Sequence, residues 1–376
     1  MGATSVEKIR IFLCGDVMTG RGIDQILAHP TNPRIYESYL TDARDYVRLA
    51  ESVNGSIPYP VNDNYLWGDA LKEWQLHQPQ LKLINLETSV TSHDIPWPHK
   101  GINYRMNPDN ITALTAANIN VCTLANNHIL DWNVEGLRET LSVLQKNHIA
   151  YAGAGENMVE AQKPAILPIS KKRILVFSMG LRSSGIPSEW QATQNQPGVW
   201  LLDDLNANSL KQVQEKIASY KKTGDLCIVS IHWGRNWGYH IPFAHQLFAH
   251  ELVDQAGVCL IHGHSSHHPI GFEIYKNCPI FYGCGDFIND YEGIDGHEEF
   301  KTYLSLMYFL EFDAQSLEFL RLEIVPLSLK NFQLHSSRFE DCQWLAHTLE
   351  QKSFFSANKL LLNDHGHIVV ELNSAF

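Results

Sequence analysis

The feature that most constrains the fold is an alternation of short apolar segments, typical of buried strands, with segments of amphipathic helical periodicity. In the first half of the chain three apolar segments each run into polar residues: Ile9–Cys14 precedes Asp16, Leu81–Leu86 precedes Glu87, and Asn120–Leu124 precedes Asn126, Asn127 and His128. Open α/β sheets build their sites at the carboxyl ends of strands. The alternation therefore predicts an α/β protein with a site at these strand ends.

The second half continues the pattern and then becomes rich in strands. Asp225–Ile231 precedes His232, and Val258–Ile261 precedes His262 and His264. Helices are predicted over Pro108–Ala117, Val134–Gln145, Ala207–Tyr220, Phe243–Gln255 and Asp341–Gln351. Further strands are predicted over Arg173–Phe177, Ile270–Tyr275, Pro279–Tyr282, Tyr303–Phe312, Leu317–Ile324 and His367–Leu372.

Composition limits the classes of function. Of 376 residues, 44% are hydrophobic, and 29 Lys and Arg face 41 Asp and Glu, which gives a net charge of −12. A soluble globular protein is expected, and a general nucleic-acid binder is disfavoured because phosphate backbones require basic surfaces. A small anionic substrate that is held through a metal ion remains compatible with this negative net charge. The seven cysteines show no CxxC pair, which favours a reduced compartment.

Targeting segments are not evident. No stretch reaches the ~18 apolar residues of a membrane span, and residues 1–10 lack the regions of a signal peptide. We therefore expect a cytoplasmic protein with no membrane span, or a surface-associated one if the sequence is a trimmed piece.

The strand ends together offer a set of metal-binding groups. Asp16, Glu87, Asn127, His232 and His264 each follow a predicted strand, and four histidines fall within Ile261–Ile270. Each residue alone is also typical of a turn, a helix cap or a packed side chain. Together, carboxylate, amide and imidazole groups suit one or two divalent ions such as Mn, Fe or Zn.

Six motifs in order carry a resemblance to a known family. The motifs are Gly15–Arg21 (GDVMTGR), Asn85–Glu87 (NLE), Leu124–Asp131 (LANNHILD), His232–Gly234 (HWG), Gly263–His267 (GHSSH) and Tyr282–Phe287 (YGCGDF). With these motifs the chain resembles the bacterial capsule synthesis proteins of the CapA type, associated with poly-γ-glutamate, which in turn resemble calcineurin-like metallophosphoesterases.

The resemblance implies a fold and a domain organisation. The expected fold is a four-layer sandwich of two mixed β-sheets flanked by helices, although the order of elements is also compatible with one doubly wound sheet. We expect a metallophosphoesterase-like domain over 9–328 with an insertion at 30–65, and a C-terminal extension, 329–376, packed on it.

The resemblance also assigns roles to residues. The implied metal ligands are Asp16, Glu87, Asn127, His232, His264 and His267. The resemblance implies that His128 contacts the phosphate or protonates the leaving group, and His262 is the alternative general acid. Lys100 and Arg105 follow the family pattern as groups that hold an anionic substrate, and Arg21 and Arg235 are further candidates from the sequence.

Two departures bear on the number of ions. Asp16 is followed by Val17 and Met18, whereas the phosphoesterase pattern is Asp-x-His, and the last histidine motif has one extra residue. The sequence therefore leaves open one metal ion or two.

Three functions remain open at this stage. The first is a metal-dependent hydrolase, above all a phosphoesterase acting on a small anionic substrate. The second is an accessory protein of poly-γ-glutamate assembly with little hydrolysis and with capsule-assembly partners; a metal-dependent amide hydrolase of γ-glutamyl or cell-wall peptides lies between these two. The third is a thiol hydrolase that uses Cys284 or Cys14.

Overall fold

The computed structural model describes residues 7–354 and 359–371. Within these residues lie nine α-helices, which fall between or after the strands. They are α1 (Gly22–Ile26), α2 (Arg44–Asn54), α3 (Ala70–His77), α4 (Thr112–Ala116), α5 (Asn133–Lys146), α6 (Met158–Ala161), α7 (Ala207–Tyr220), α8 (Phe243–Ala256) and α9 (Phe339–Lys352).

Ten strands form the first sheet, sheet I, in the order β20-β21-β18-β17-β1-β2-β5-β6, with β16 also paired to β1 and β19 to β18. They are β1 (Lys8–Val17), β2 (Leu81–Leu86), β5 (Val121–Thr123), β6 (Ala150–Ala152), β16 (Asp286–Ile288), β17 (Leu304–Asp313), β18 (Phe319–Lys330), β19 (Gln333–Ser336), β20 (Lys359–Leu362) and β21 (Ile368–Glu371). The sheet is mixed, because β1 is parallel to β2 and antiparallel to β17.

Seven strands form the second sheet, sheet II, in the order β11-β9-β12-β13-β15-β14, with β8 also paired to β9. They are β8 (Ala165–Ile169), β9 (Lys172–Leu181), β11 (Leu201–Leu202), β12 (Leu226–His232), β13 (Leu260–His264), β14 (Phe272–Tyr275) and β15 (Cys278–Phe281). Two small pairs complete the strands: β3 (Ser89–Val90) with β4 (Arg105–Met106), and β7 (Ala154–Gly155) with β10 (Gly198–Val199).

Side-chain alternation along the strands produces the layers. In β1, Ile11 and Leu13 belong to a core that contains residues of both sheets, whereas Phe12 belongs to the core beneath the helices of sheet I. In β12, Ile228 faces the shared core and Val229 faces the core beneath α7 and α8. Because successive strand residues point to opposite faces, the molecule is layered helix, sheet, sheet, helix. The predicted four-layer α/β sandwich of two mixed sheets is confirmed.

Most predicted elements occur, with shifted ends. The predicted helix at 108–117 is instead a single 3₁₀ turn followed by α4, and the Asn107 side chain accepts a hydrogen bond from the Asp109 backbone N–H at 2.9 Å where this turn begins. The predicted last strand includes Leu372, which lies outside the described residues; the remainder corresponds to β21.

The C-terminal residues extend the sandwich. Strand β18 runs across position 329, and β19 and β21 pair with it in sheet I. Leu345 and Leu349 of α9 are buried in the core between the sheets. The division into a domain at 9–328 and an extension at 329–376 stays a prediction, as does the insertion at 30–65, which contains α2. In the described ranges, none of the helices has the length and apolarity needed to cross a bilayer.

Candidate metal centre

Neighbouring strands bring the predicted ligands to one edge of the sandwich. In sheet II, His232 at the end of β12 is in register with His264 of β13. In sheet I, Asp16 of β1 is in register with Asn85 of β2 and with Asp286 of β16. Because residues in register on paired strands point to the same face, the ends of both sheets contribute polar side chains to a common site.

Three of the predicted ligands converge on one point, and we call Asp16, His232 and His264 the inner triad. One ligand atom from each lies within 4.8 Å of those of the other two. The Nδ1 atoms of His232 and His264 are 2.7 Å apart, and His264 Nδ1 is 3.7 Å from Asp16 Oδ1. All three side chains are essentially buried. One carboxylate and two imidazoles in this arrangement form a donor set that suits a divalent transition metal.

A hydrogen-bonded relay holds His264 from behind. His264 Nε2 lies 2.7 Å from Ser230 Oγ, which lies 3.1 Å from His262 Nδ1, and His262 Nε2 lies 2.6 Å from the carbonyl oxygen of Cys14. That carbonyl can only accept, so His262 Nε2 carries the proton. The single hydroxyl hydrogen of Ser230 is donated to Thr123 Oγ1, 3.2 Å away, or to His262 Nδ1, and in either case Ser230 Oγ accepts from His264 Nε2–H. The relay leaves the Nδ1 lone pair of His264 directed at the triad.

This placement argues against His262 as the general acid. Both of its ring nitrogens bond to groups inside the protein, and the residue is fully buried between the sheets. Burial lowers the pKa of His262 to about 4, so the ring is neutral. His262 orients a metal-ligand candidate instead of facing the cavity.

Glu87 and Asn127 lie near the Nε2 atom of His232, and the Glu87 carboxylate also approaches that of Asp16. Asn127 Oδ1 is 2.9 Å from His232 Nε2, and Glu87 Oε1 is 3.9 Å from the same nitrogen. Glu87 Oε2 is buried without a hydrogen-bond partner in the described part of the chain. His232 therefore presents its Nδ1 to His264 and its Nε2 to these two oxygen donors.

His267 has a different environment from the triad histidines. Its Nδ1 lies 3.0 Å from Asp286 Oδ1 and its Nε2 lies 3.0 Å from Asn236 Nδ2. Burial alone would lower the pKa of His267, but the Asp286 carboxylate raises it overall. The structure thus pairs His267 with a carboxylate at the edge of the cavity.

The cavity beside the triad has a volume of about 390 Å³. It is bordered by metal-ligand candidates, by His128 and by the side chain of Lys100. The lining includes Glu87, Lys100, Asn127, His128, His267 and Tyr291.

His128 is oriented by Asp131. His128 Nδ1 lies 2.6 Å from Asp131 Oδ2, which also accepts from the Tyr104 backbone N–H at 2.6 Å. His128 Nε2 is therefore the free nitrogen, and it lies 3.8 Å from Glu87 Oε1. Burial lowers the pKa of His128 to about 4, although Asp131 opposes this shift. The ring is neutral at pH 7 and presents a lone pair, so it is set to accept a proton.

The four predicted anion-binding cations are placed differently. Lys100 lines the cavity, with its Nζ 2.6 Å from Asp131 Oδ1 and 3.2 Å from His128 Nδ1. Arg21 is buried, and its guanidinium bonds to Asp290 and Glu37. The terminal nitrogens of Arg105 donate to the backbone carbonyls of His93 and Asn32.

Arg235, the fourth cation, is exposed on the loop after β12. Of the four, Lys100 alone borders the cavity that contains His128. The hydrogen bonds of Arg21 and Arg105 hold loops together, and a substrate contact of either residue stays a prediction.

The two cysteines of the thiol hypothesis are poor nucleophiles here. Cys14 and Cys284 are buried, and burial raises the pKa of both thiols. Since the thiolate is the reactive form, the geometry disfavours a thiol hydrolase.

Sequence reasoning missed several residues that shape the site. Asp131 and Asp286 lie in the quoted motifs but were given no role. Ser230 lies inside the predicted strand Asp225–Ile231, whose pattern indicates a buried strand. The spacing His128-x-x-Asp131 could have suggested the pair, because residues three apart in a tight turn approach one another. Nothing in the sequence marks Ser230.

Comparison with known proteins places the chain in a family. Residues 10–291 match the family model described as "Bacterial capsule synthesis protein PGA_cap". A Mycobacterium tuberculosis protein named "Probable polyglutamine synthesis accessory protein" is 43% identical over 353 residues, which is 93% of each chain. The "Capsule biosynthesis protein CapA" of Bacillus anthracis is 25% identical over 86% of this chain and 68% of that one.

Among the solved structures that are similar to this chain is one described as a phosphatase from Mycoplasma pneumoniae, with a TM-score of 0.49 and 14% identity, covering 86% of this chain and 94% of that one. The family model matches most of the chain, and the Mycobacterium tuberculosis relative is 43% identical over 93% of each chain. The chain therefore belongs to the bacterial capsule synthesis protein family.

Proposed function

We propose that this protein is a metal-dependent hydrolase in which the inner triad holds a divalent cation beside the cavity. The observation that carries the proposal is the convergence of Asp16, His232 and His264 on one point, with ligand atoms within 4.8 Å of one another. Structural packing alone does not require two buried imidazoles to bring their Nδ1 atoms together next to a carboxylate.

The charges around the triad fit a cation. Burial, followed by the nearby Asp286 carboxylate, raises the pKa of Asp16 to about 7. Glu87 is also buried, and burial together with Asp16 raises its pKa. Buried carboxylates that destabilise one another need a compensating positive charge. The unpartnered Glu87 Oε2 supports the same inference.

The candidate ligands permit one or two ions. Asp16, His232 and His264 supply the first position. Glu87 and Asn127 lie near His232 Nε2 and would complete this position or supply a second one, as the resemblance to metallophosphoesterases implies. We take Mn, Fe or Zn as the candidates, because carboxylate, amide and imidazole ligands suit these ions.

A divalent ion in such a site lowers the pKa of water and polarises the oxygen of the scissile group. The chain's own residues supply the rest. Lys100 lies at the cavity wall, where its ammonium group attracts an anionic substrate. His128 presents its Nε2 lone pair toward the Glu87 side, and Asp131 fixes the ring by its bond to Nδ1. His128 is thus placed to accept a proton and later return it.

We propose a phosphoester as the first substrate class to examine. The Lys100 ammonium group and the proposed metal ion lie at the same cavity, and two positive charges there suit a phosphoryl group. A γ-glutamyl amide is the second class, since the chemistry at the metal would serve an amide carbonyl as well. The γ-glutamyl amide is favoured by the family, whose members are named for capsule synthesis.

A second candidate function is that of an accessory protein in polyglutamate assembly with little hydrolysis of its own. The name of the Mycobacterium tuberculosis relative favours it. It would involve capsule-assembly partners. Cytoplasmic or surface location stays a prediction in both cases.

The experiment is a turnover assay on the full chain, metal-free and after addition of Mn²⁺, Fe²⁺ or Zn²⁺. Substrates would be a chromogenic phosphomonoester, a phosphodiester and a γ-glutamyl anilide. We expect metal-dependent turnover of at least one, abolished by Asp16→Asn and by His264→Ala but retained by the surface control His347→Ala. Equal turnover in the triad variants and the wild type would reject the hydrolase proposal. Metal binding without turnover of any of these substrates would favour the accessory function.

A further inference from the structure

A second group of metal-binding side chains lies away from the centre just described, between α3 and the C-terminal strands. Glu73 and His77 lie four residues apart on α3, and His367 directly precedes β21. Residues four apart share one face of a helix, so α3 presents the first two side chains together. One ligand atom from each of the three lies within 4.8 Å of the others.

The distances resemble those between ligands of one ion. Glu73 Oε2 lies 3.6 Å from His77 Nε2 and 3.8 Å from His367 Nε2. In a tetrahedral zinc site with bonds of about 2.0–2.1 Å, neighbouring ligand atoms are about 3.3–3.4 Å apart. The observed separations are slightly larger than these and longer than hydrogen bonds. The side chains therefore approach each other without bonding directly.

Two of the three ligand atoms lack any other partner. Glu73 Oε2 and His77 Nε2 are buried and make no hydrogen bond within the described residues. The His77 ring stacks on Phe309 with centroids 3.9 Å apart, which fixes the direction of its Nε2. Buried polar atoms in proteins nearly always have a partner. Here both point toward the same small space.

A fourth residue, Glu323, determines which ring nitrogen of His367 carries the proton. His367 Nδ1 lies 2.8 Å from Glu323 Oε1 in β18, and Arg321 donates to Glu323 Oε2 at 2.9 Å. A carboxylate at Nδ1 keeps the proton there and leaves Nε2 with a lone pair. Carboxylates in this position are typical partners of zinc-binding histidines, because they fix the ring and raise its basicity.

A lone pair aimed at a carboxylate oxygen is unfavourable unless a cation lies between them. His367 Nε2 faces Glu73 Oε2 in this way, and His77 Nε2 faces the same oxygen. A proton on His77 would satisfy only one of the two contacts. A divalent cation would satisfy all three atoms at once.

We propose that Glu73, His77 and His367 bind one Zn²⁺ ion that fastens α3 to the C-terminal strands, with Glu323 as the residue that positions His367. Two imidazoles and one carboxylate are a recognised zinc ligand set with a fourth position for water. The side chains are 11–18% exposed, while the ligand atoms of Glu73 and His77 are buried, so the site lies just beneath the surface. The ion would join an element near residue 70 to one near residue 370 and so stabilise the end of sheet I.

The test measures zinc content and thermal stability on the full chain, freed of metal by chelator, loaded with ZnCl₂ and passed through a desalting column. Glu73→Gln keeps the size of the side chain and removes the charge, and His77→Ala removes a ligand. His347→Ala on the exposed face of α9 is the matched control. We expect both ligand variants to hold one zinc equivalent less than the wild type and to lose the zinc-induced rise in Tm.

A second set of proteins separates this site from the inner triad. The double variant Asp16→Ala/His264→Ala should still bind one zinc equivalent, and adding Glu73→Gln should remove it. If Glu73→Gln binds as much zinc as the wild type and keeps the same zinc-induced shift in Tm, the proposal is wrong. Should His77→Ala not fold, Glu73→Gln decides the outcome alone.

Discussion

The Nδ1 atoms of His232 and His264 lie 2.7 Å apart at the ends of adjacent parallel strands. Burial lowers the pKa of both rings, so neither carries a charge that would justify the contact as an ion pair. Ser230 binds the far nitrogen of His264. The contact therefore brings two nitrogen donors to the same place, with Asp16 Oδ1 3.7 Å from one of them.

Ser230→Ala should weaken metal binding at the inner triad without removing a ligand. Ser230 Oγ accepts the proton of His264 Nε2 in the relay that ends at Cys14. Loss of such an orienting partner costs about 10–100-fold in metal affinity. A competition titration with a chromogenic chelator would measure it, with the exposed Ser219→Ala as control. Unchanged affinity in Ser230→Ala would show that the relay does not orient His264.

Asp131→Asn should reduce kcat and move the acidic limb of the pH–rate profile to lower pH. Burial lowers the pKa of His128 to about 4, and the Asp131 charge opposes this shift by raising the pKa. Removing that charge lowers the pKa further, so the neutral ring persists at lower pH. General base catalysis contributes about 10²–10⁴-fold, so a large loss in kcat is expected.

Asp203→Asn, an exposed surface change, is the control for this measurement. A shift of the acidic limb to higher pH, or an unchanged profile, would contradict the assignment of His128 as the proton acceptor.

Arg21→Met should strongly destabilise the fold. The buried Arg21 guanidinium pairs with Glu37 at 2.7 Å and with Asp290 at 2.5 Å, and its replacement leaves two buried carboxylates without a counterion. Breaking a buried ion pair by removal of one partner costs about 3–5 kcal/mol. Urea unfolding monitored by tryptophan fluorescence would measure the change. Arg182→Ala, which breaks the exposed pair with Asp203, should change stability by less than about 1 kcal/mol.

Glu323→Gln should remove a pH-dependent part of the stability. Burial would raise the pKa of Glu323, but hydrogen bonds from His367 and Arg321 lower it to about 2. A folded-state pKa below the unfolded value contributes stability that is present above about pH 4.3 and lost as the pH falls toward 2. The Glu323 side chain is 12% exposed at the edge of the protein, where solvent screens part of its interactions, so we expect an effect of roughly 1–2 kcal/mol.

Urea unfolding of wild type and Glu323→Gln at pH 7 and pH 3 would test this. The difference between the two proteins should be clearly smaller at pH 3. A difference that is independent of pH would mean that the Glu323 carboxylate is not stabilised in the folded state.

The sequence predicts the sandwich and the ligand-bearing strand ends because both depend on local patterns. Apolar segments such as Leu81–Leu86 and Asp225–Ile231 indicate strands, and Glu87 and His232 lie at or just beyond their ends. The pairing order of the strands does not follow from these patterns. The contact between β1 and β16, which brings Asp286 beside Asp16, joins residues 270 positions apart.

Roles that depend on tertiary contacts could not be predicted. His262 and His264 are two residues apart on one strand and point to the same face, yet His262 bonds to Cys14 and His264 faces Asp16. Arg21 and Arg105 are basic residues near the site in sequence, but Arg21 donates to Asp290 and the terminal nitrogens of Arg105 donate to backbone carbonyls. Sequence pattern identifies which groups are available, whereas long-range packing decides which of them face the cavity.

The most direct measurement is the metal content of the Glu73→Gln protein and of the same protein with Asp16→Ala and His264→Ala added. Inductively coupled plasma mass spectrometry would follow purification without chelator or nickel resin and loading with Mn²⁺, Fe²⁺ or Zn²⁺. Because Glu73→Gln removes the second site, the account predicts one or two equivalents of metal in the single variant and none in the triple variant. Equal metal content in the two proteins, or none in either after loading, would contradict the inner triad as a metal centre.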